Sequence, residues 1–324
     1  MRAGLGRVEL IVILVIFLVA AGLIVTAVIG LRGKADLARC EDNLRQTGAA
    51  VHLFRDQGRP PYLPPSRLAD GYATWAVLVA PYLDRRKSGA LPEWDLSRTY
   101  FDQPDEVRQA QVPLYYCPSR RAPPQNSSQG DTRDGDPAVG PNFAGGLSDY
   151  ACAAGTGDPR RPWTTARADG AMLPAEILRR GPHDTIRKWR GRTDLVLVGQ
   201  GEGAKVQVRR AGDMDAAPGR ELRRGTSQII LIGEKHVPLG EFGRADQGDG
   251  SVYDGGRPAS FARIGGPGHG LARSADDPLD PAYPVFGSYH PRVCNFLMAD
   301  GSVRPLTPSL SPAVLAELIA RDGR

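Results

Sequence analysis

The sequence predicts an α+β protein: a long N-terminal transmembrane α-helix packed on a loop-rich, mainly antiparallel β domain, with a short C-terminal helix. Three observations carry that prediction. An uncharged apolar run opens the chain, short apolar runs fill its middle, and a segment of helical period closes it. The chain has 324 residues, 41% of them hydrophobic and 24% charged, so it has the composition of a folded protein with one apolar segment. Gly 39 and Pro 28 favour turns and short strands over a helical bundle. The net charge of +5 is dispersed among acids, as in Arg85-Arg86-Lys87 and Arg120-Arg121, and this is a solvated surface; no nucleic-acid partner is expected.

From Leu10 to Leu31 the chain reads LIVILVIFLVAAGLIVTAVIGL. That is about 22 uncharged residues, or about 33 Å of helix, enough to cross a bilayer core. It exceeds the apolar region of a cleaved secretory signal and runs on into helix-forming sequence. Leu37, Cys40, Leu44, Thr47, Val51 and Phe54 then recur at spacings of three and four, an apolar seam on one helical face. Gln57-Gly58-Arg59-Pro60-Pro61 stops the helix. The seam is too short for a free coiled coil, so it is expected to dock on a sheet.

Beyond Pro60 the elements are brief. Thr74–Asp84 reads as a short helix ending near Pro81, and Val112–Ser119 as a strand closed by a proline turn. Asp149–Gly157, Asp194–Gln200 and Ser227–Glu234 are further strand candidates. Val293–Ala299, Asp300-Gly301 and Ser302–Leu306 make a hairpin, for which Asp-Gly predicts a type I′ turn. Ser311-Pro312 then begins a last helix, from Ala313 to about Arg321. Ala122–Gly146 and Ala245–Pro284 read as extended loops.

Chemistry is sparse in the linear pattern. Gly225-Thr226-Ser227-Gln228-Ile229 lacks the closing glycine of a nucleophile elbow, and Gly199-Gln200-Gly201-Glu202-Gly203 lacks dinucleotide-binding spacing. The five histidines form no HExxH motif and no close Cys/His pair for zinc. His290 and Asp300 could meet at the hairpin base as a dyad, but a histidine fixing the turn is the favoured reading. Asp131, Asp134 and Asp136 offer hard oxygen ligands for calcium in one loop, and Asp246, Asp249 and Asp254 do so in another; solvated turns are the favoured reading for both. No cofactor, catalytic residue or enzymatic activity is expected.

Four cysteines, an even number, invite disulfides in an oxidising compartment. Cys40 faces inward from the helix seam, and Cys117 ends the expected strand beside it. Cys152 and Cys294 sit in two apolar strands. The expected bonds are Cys40–Cys117 and Cys152–Cys294, against four buried thiols.

The first residues, Met1-Arg2-Ala3-Gly4-Leu5-Gly6-Arg7-Val8-Glu9, resemble the leader of type IV prepilins and type II secretion pseudopilins. The resemblance implies cleavage after Gly4, methylation of the new Leu5 terminus, and a Glu9 that pairs with a neighbouring subunit's amine. Leu5 stands where Phe is usual, and Arg7 charges a normally uncharged tract. The long helix then corresponds to a pilin spine.

Later motifs in order resemble the prepilin-like bacterial domain of unknown function numbered fifteen fifty-nine. They are Cys40, Asn43, Leu44, Arg45, Gln46 and Gly48; Trp75 with Pro81-Tyr82-Leu83; and Cys117-Pro118-Ser119. Gly225-Thr226-Ser227 with Gly233-Glu234-Lys235-His236 follow, and His290 stands before Asp300-Gly301. Thr26 stands where the family often has Pro, and Arg224 where an Asp usually precedes the G-T-S. The domains expected are a leader at 1–4, a helix at 5–57 with its span at 10–31, and an extracytoplasmic domain at 58–324. The function implied is a structural subunit of a pilus-like or type II secretion assembly. It would lie in the inner membrane, N-terminus in the cytoplasm, with a prepilin peptidase/methylase, the bilayer and other pilin-like subunits as partners. The alternative is a membrane-tethered module binding a glycan or solute.

Overall fold

The computed structural model describes residues 6–57, 63–89, 91–96, 98–133, 140–156, 169–174, 176–179, 186–190, 195–198, 205–208, 222 and 225–321. Helix α1 (Arg7–Gln57) runs unbroken for 51 residues, a length of about 76 Å. Thr26 leaves it unbroken, its Oγ1 donating back to the Leu23 carbonyl. The N-terminal half exposes Leu10, Ile13, Phe17, Ile24 and Leu31 alike, with a mean hydropathy of 3.2 over its most apolar window. The C-terminal half buries Cys40, Leu44, Thr47, Gly48, Ala50, Val51 and Phe54, the seam read from the sequence.

The main sheet runs β7-β1-β6-β8-β9. Its strands are β1 (Tyr150–Gly155), β6 (Ile230–Glu234), β7 (Ala262–Ile264), β8 (Cys294–Met298) and β9 (Val303–Leu306). Only β7 pairs in parallel, with β1; the other neighbours are antiparallel. One face packs against α1, where a Cβ on Gly48 would come 2.6 Å from Leu297 Cδ1. That close approach is why a helix-interior glycine, itself unfavourable, sits at the crossing. The other face, with Ile230, Phe286, Phe296 and Met298, is covered by α6 (Pro312–Ile319) through Leu315 and Ile319.

The short helices α2 (Trp75–Val79), α3 (Arg85–Ser88), α4 (Asp105–Arg108) and α5 (Pro258–Phe261) punctuate the loops. Strands β2 (Glu176–Arg179), β3 (Ile186–Arg190), β4 (Leu195–Val198) and β5 (Lys205–Val208) form a separate antiparallel meander in that order. Of these the sequence pattern marked only β4, because β3 is dominated by charged residues (IRKWR).

Several expectations change. Val112–Ser119 is not a strand: Pro113 starts a 3₁₀ turn, Pro113–Tyr115, in which Leu114 and Tyr115 are buried. The Asp300-Gly301 hairpin is not type I′, because only Gly301 (φ 87°) adopts a positive φ. Gly301 N–H donates to the Met298 carbonyl and Met298 N–H to the Ser302 carbonyl, the three-residue loop with a glycine bulge. Strand β7 lies in a stretch read as loop, since three residues carry too little periodicity to be seen. Ser311 precedes α6 but its side chain caps nothing.

Candidate functional site

Residues singled out in the sequence scatter over several structural roles. Gly4 and Leu5 lie outside the described residues. Glu9 Oε2 accepts from the Gly6 N–H at 2.8 Å, at the start of α1. Trp75 is fully buried, donating its Nε1–H to the Phe261 carbonyl. Gly225 holds a positive φ (83°) before the exposed 3₁₀ turn Thr226–Gln228, where Ser227 O accepts from Arg304. Gly233 leaves room for Phe296, 2.5 Å from where its Cβ would stand.

The loop aspartates are not all solvated turns: Asp131, Asp249 and Asp254 are buried, and Asp131 Oδ1 and Asp254 Oδ2 have no well-formed hydrogen bond. Asp131 accepts from the Ser251 N–H and lies 3.6 Å from Arg257; Asp134 and Asp136 lie outside the described residues. Asp246 pairs with Arg244 and Asp249 with Arg121 and Lys235, while Asp254 accepts from the Gly256 N–H. Asp300 accepts from both the Ser302 N–H and its hydroxyl, so it caps its own turn. His290 is not its partner, and it does not fix that turn.

His290 instead belongs to a buried group with Cys40, Cys117 and Glu234, whose donor atoms all lie within 4.8 Å of one another. Four separate segments deliver them: the docked half of α1, the Cys-Pro-Ser turn, the end of β6, and the loop before β8. Cys40 Sγ is 2.8 Å from Cys117 Sγ, which is 3.5 Å from His290 Nε2; that nitrogen is 3.4 Å from Glu234 Oε1. All four residues are buried, so a substrate has no surface at which to meet the sulfurs.

Neighbours hold each donor in place. Asn43 Nδ2 donates to the Tyr116 carbonyl, registering α1 beside Cys117, whose N–H donates to Asp149 Oδ2. The Asn295 N–H donates to Glu234 Oε2 at 2.7 Å, leaving Oε1 without a hydrogen bond of good geometry. Ser119 Oγ lies 3.2 Å from His290 Nδ1, which directs Nε2 at the group. Beneath it, Asp149 binds Arg120 and Arg121, and Asp249 binds Arg121 and Lys235, all with buried side chains. With Arg263 beside them, four buried cations face two carboxylates, so the surroundings favour added negative charge.

The protonation states follow. The hydrogen bond to Cys117 and burial push the Cys40 thiol up. The hydrogen bond from Cys40 holds Cys117 below its usual value against the opposing effect of burial. Burial opposes the His290 imidazolium, yet the close contacts with Cys117 and Glu234 raise it to about 10. The directions favour negative charge on Cys117 over Cys40 and a proton on His290. Such a group can persist as an ion pair, oxidise to a disulfide, or bind a metal.

All four cysteines are free thiols. The expected Cys40–Cys117 partners are side by side and unbonded. The expected Cys152–Cys294 bond is ruled out by topology: β6 lies between β1 and β8, separating those strands by about 9–10 Å, and the register sets Cys152 across from Ile232 and Ile232 across from Leu297, three residues beyond Cys294. Cys152 also packs with the α1-side core and Cys294 with the α6-side core. The sequence shows no Cys/His spacing for zinc because the convergence is tertiary. The available signal was that Cys40, Cys117, Glu234 and His290 each anchor a different motif.

Among the described residues, one helix long and apolar enough to cross a membrane, docked by its second half on a mixed sheet, defines the class as a helix-bearing α+β protein. Within it, the chain belongs to the family described as protein of unknown function (DUF1559), whose model matches residues 34–313. No curated protein and no solved structure matches the chain.

Proposed function

We propose that this protein is a membrane-anchored, pseudopilin-like structural subunit of a pilus-like or type II secretion assembly. The observation that carries the reading is α1, one uninterrupted helix that is apolar on every side in its first half and docked on the domain in its second. A simple anchor needs only the first half. A subunit that stacks on its own kind benefits from a rigid spine continuous with the domain. On this reading a prepilin peptidase cuts after Gly4 and methylates Leu5, and Glu9 pairs in lipid with a neighbour's terminal amine. Residues 58–324 lie outside the cytoplasm, and the role is structural, without a catalysed reaction.

Mass spectrometry of the N-terminal peptide from the native membrane tests this directly. The expected terminus is methylated Leu5; an intact Met1, or a cut after Val25 or beyond, overturns the reading. Glu9→Val separates it from a tethered binding module. The variant is expected to insert but to lose crosslinked assemblies, whereas a binding module would be unaffected.

A further inference from the structure

We propose that Cys40, Cys117, Glu234 and His290 form a closed four-coordinate zinc site that fastens the docked half of α1 to the β domain. Two thiolates, an imidazole and a carboxylate are a donor set suited to zinc, and burial on all sides matches a structural site with no open position. Zinc bond lengths imply tetrahedral N···S and N···O edges of about 3.5 Å and about 3.4 Å. Cys117 Sγ···His290 Nε2 at 3.5 Å and His290 Nε2···Glu234 Oε1 at 3.4 Å already have them. The sulfurs, at 2.8 Å, must part by about 1 Å to reach a tetrahedral S···S edge, a modest side-chain rotation.

Two further observations point to a ligand. Glu234 Oε1 is buried and meets His290 Nε2 at 3.4 Å without good hydrogen-bond geometry. A buried carboxylate oxygen without a well-formed hydrogen bond is costly, and a metal would satisfy it. The outer contacts are also those of a metal site: Ser119 holds the far nitrogen of the histidine, and Asn295 N–H holds the far oxygen of the glutamate. A disulfide would use two of the four residues and leave Glu234 as it is. Binding needs both sulfurs as thiolates and a neutral histidine, so the remaining thiol and imidazolium protons leave to solvent. The site does not depend on the pseudopilin reading.

The test uses the full-length protein in detergent, purified without oxygen or chelator. Elemental analysis should find about one zinc per chain, and exchange with Co²⁺ alone should give the thiolate-to-cobalt and tetrahedral visible bands. Cys40→Ser and His290→Ala should each lower zinc retention at least tenfold, while Cys152→Ser and Cys294→Ser retain it. Glu234→Gln, which keeps an acceptor for Asn295, should bind weakly yet stay folded, guarding against loss by misfolding. Metal-free protein that takes up neither Zn²⁺ nor Co²⁺ overturns the proposal, as does a native Cys40–Cys117 disulfide on peptide mapping. Cobalt bands that persist in Cys40→Ser also overturn it.

Discussion

Between Val8 and Leu31 α1 exposes apolar side chains all around its axis, whereas between Cys40 and Phe54 it buries one stripe and turns charges outward. In the second half Arg39 and Arg45 lie near Asp36 and Asp42, one turn earlier on the solvent side. The backbone is the same in both halves; the side-chain pattern differs. A helix apolar on every side is matched to a uniform apolar surrounding, and an amphipathic one to a single packed face. The two halves should therefore respond differently to the same substitution.

The largest difference is expected for Leu44→Ala against Leu14→Ala. Leu44 is completely buried between helix and domain, so its truncation should cost about 2–5 kcal/mol of domain stability. Leu14 is 57% exposed, and its truncation should leave domain unfolding unchanged. Chemical denaturation of the full-length protein in detergent, followed by tryptophan fluorescence, reads both; equal effects would break the comparison.

Glycine positions sharpen it. Gly48→Val drives a branched side chain toward Leu297 and should destabilise by about 1–3 kcal/mol. Gly22, with nothing within 4 Å of its added Cβ, should accept Val with no change in domain melting.

The smallest expected effect is a pH dependence seated in the docked half. Burial, with Arg55 nearby, lowers the His52 pKa below 6.5, against the weaker pull of Asp56 and Asp300. Its buried Nε2 has no hydrogen-bond partner. Below pH 6.5 the unfolded chain then binds more protons at this position than the folded one. Stability should fall as the pH drops through that value and be flat above it. His52→Leu should flatten this part of the melting-temperature profile between pH 5 and 7.5; an unchanged slope would assign the dependence elsewhere.

Much of the frame was legible because it is local. The apolar run and its seam specified α1 nearly to the residue, since spacings of three and four can only be one face of a helix. Runs such as Ile230–Glu234 and Cys294–Met298 announced buried strands by their β-branched and aromatic content. Val112–Ser119 misled for the same reason: its composition is strand-like, but Pro113 removes a ladder donor and the segment turns instead. The charged β3 gave no alternating pattern to detect.

By itself, the sequence determined a long helix with two different halves, a set of short strands, the hairpin after His290, and the motifs that carry family membership. Only the tertiary structure decided which strand lies between β1 and β8, and so which cysteines can meet. It also decided that Cys40, Cys117, Glu234 and His290, separated by 77, 117 and 56 positions, share one buried group within 4.8 Å. The physical reason is range. Side-chain periodicity reports on neighbours within a turn or a strand pair, while a site assembled from four segments depends on sheet order and helix docking.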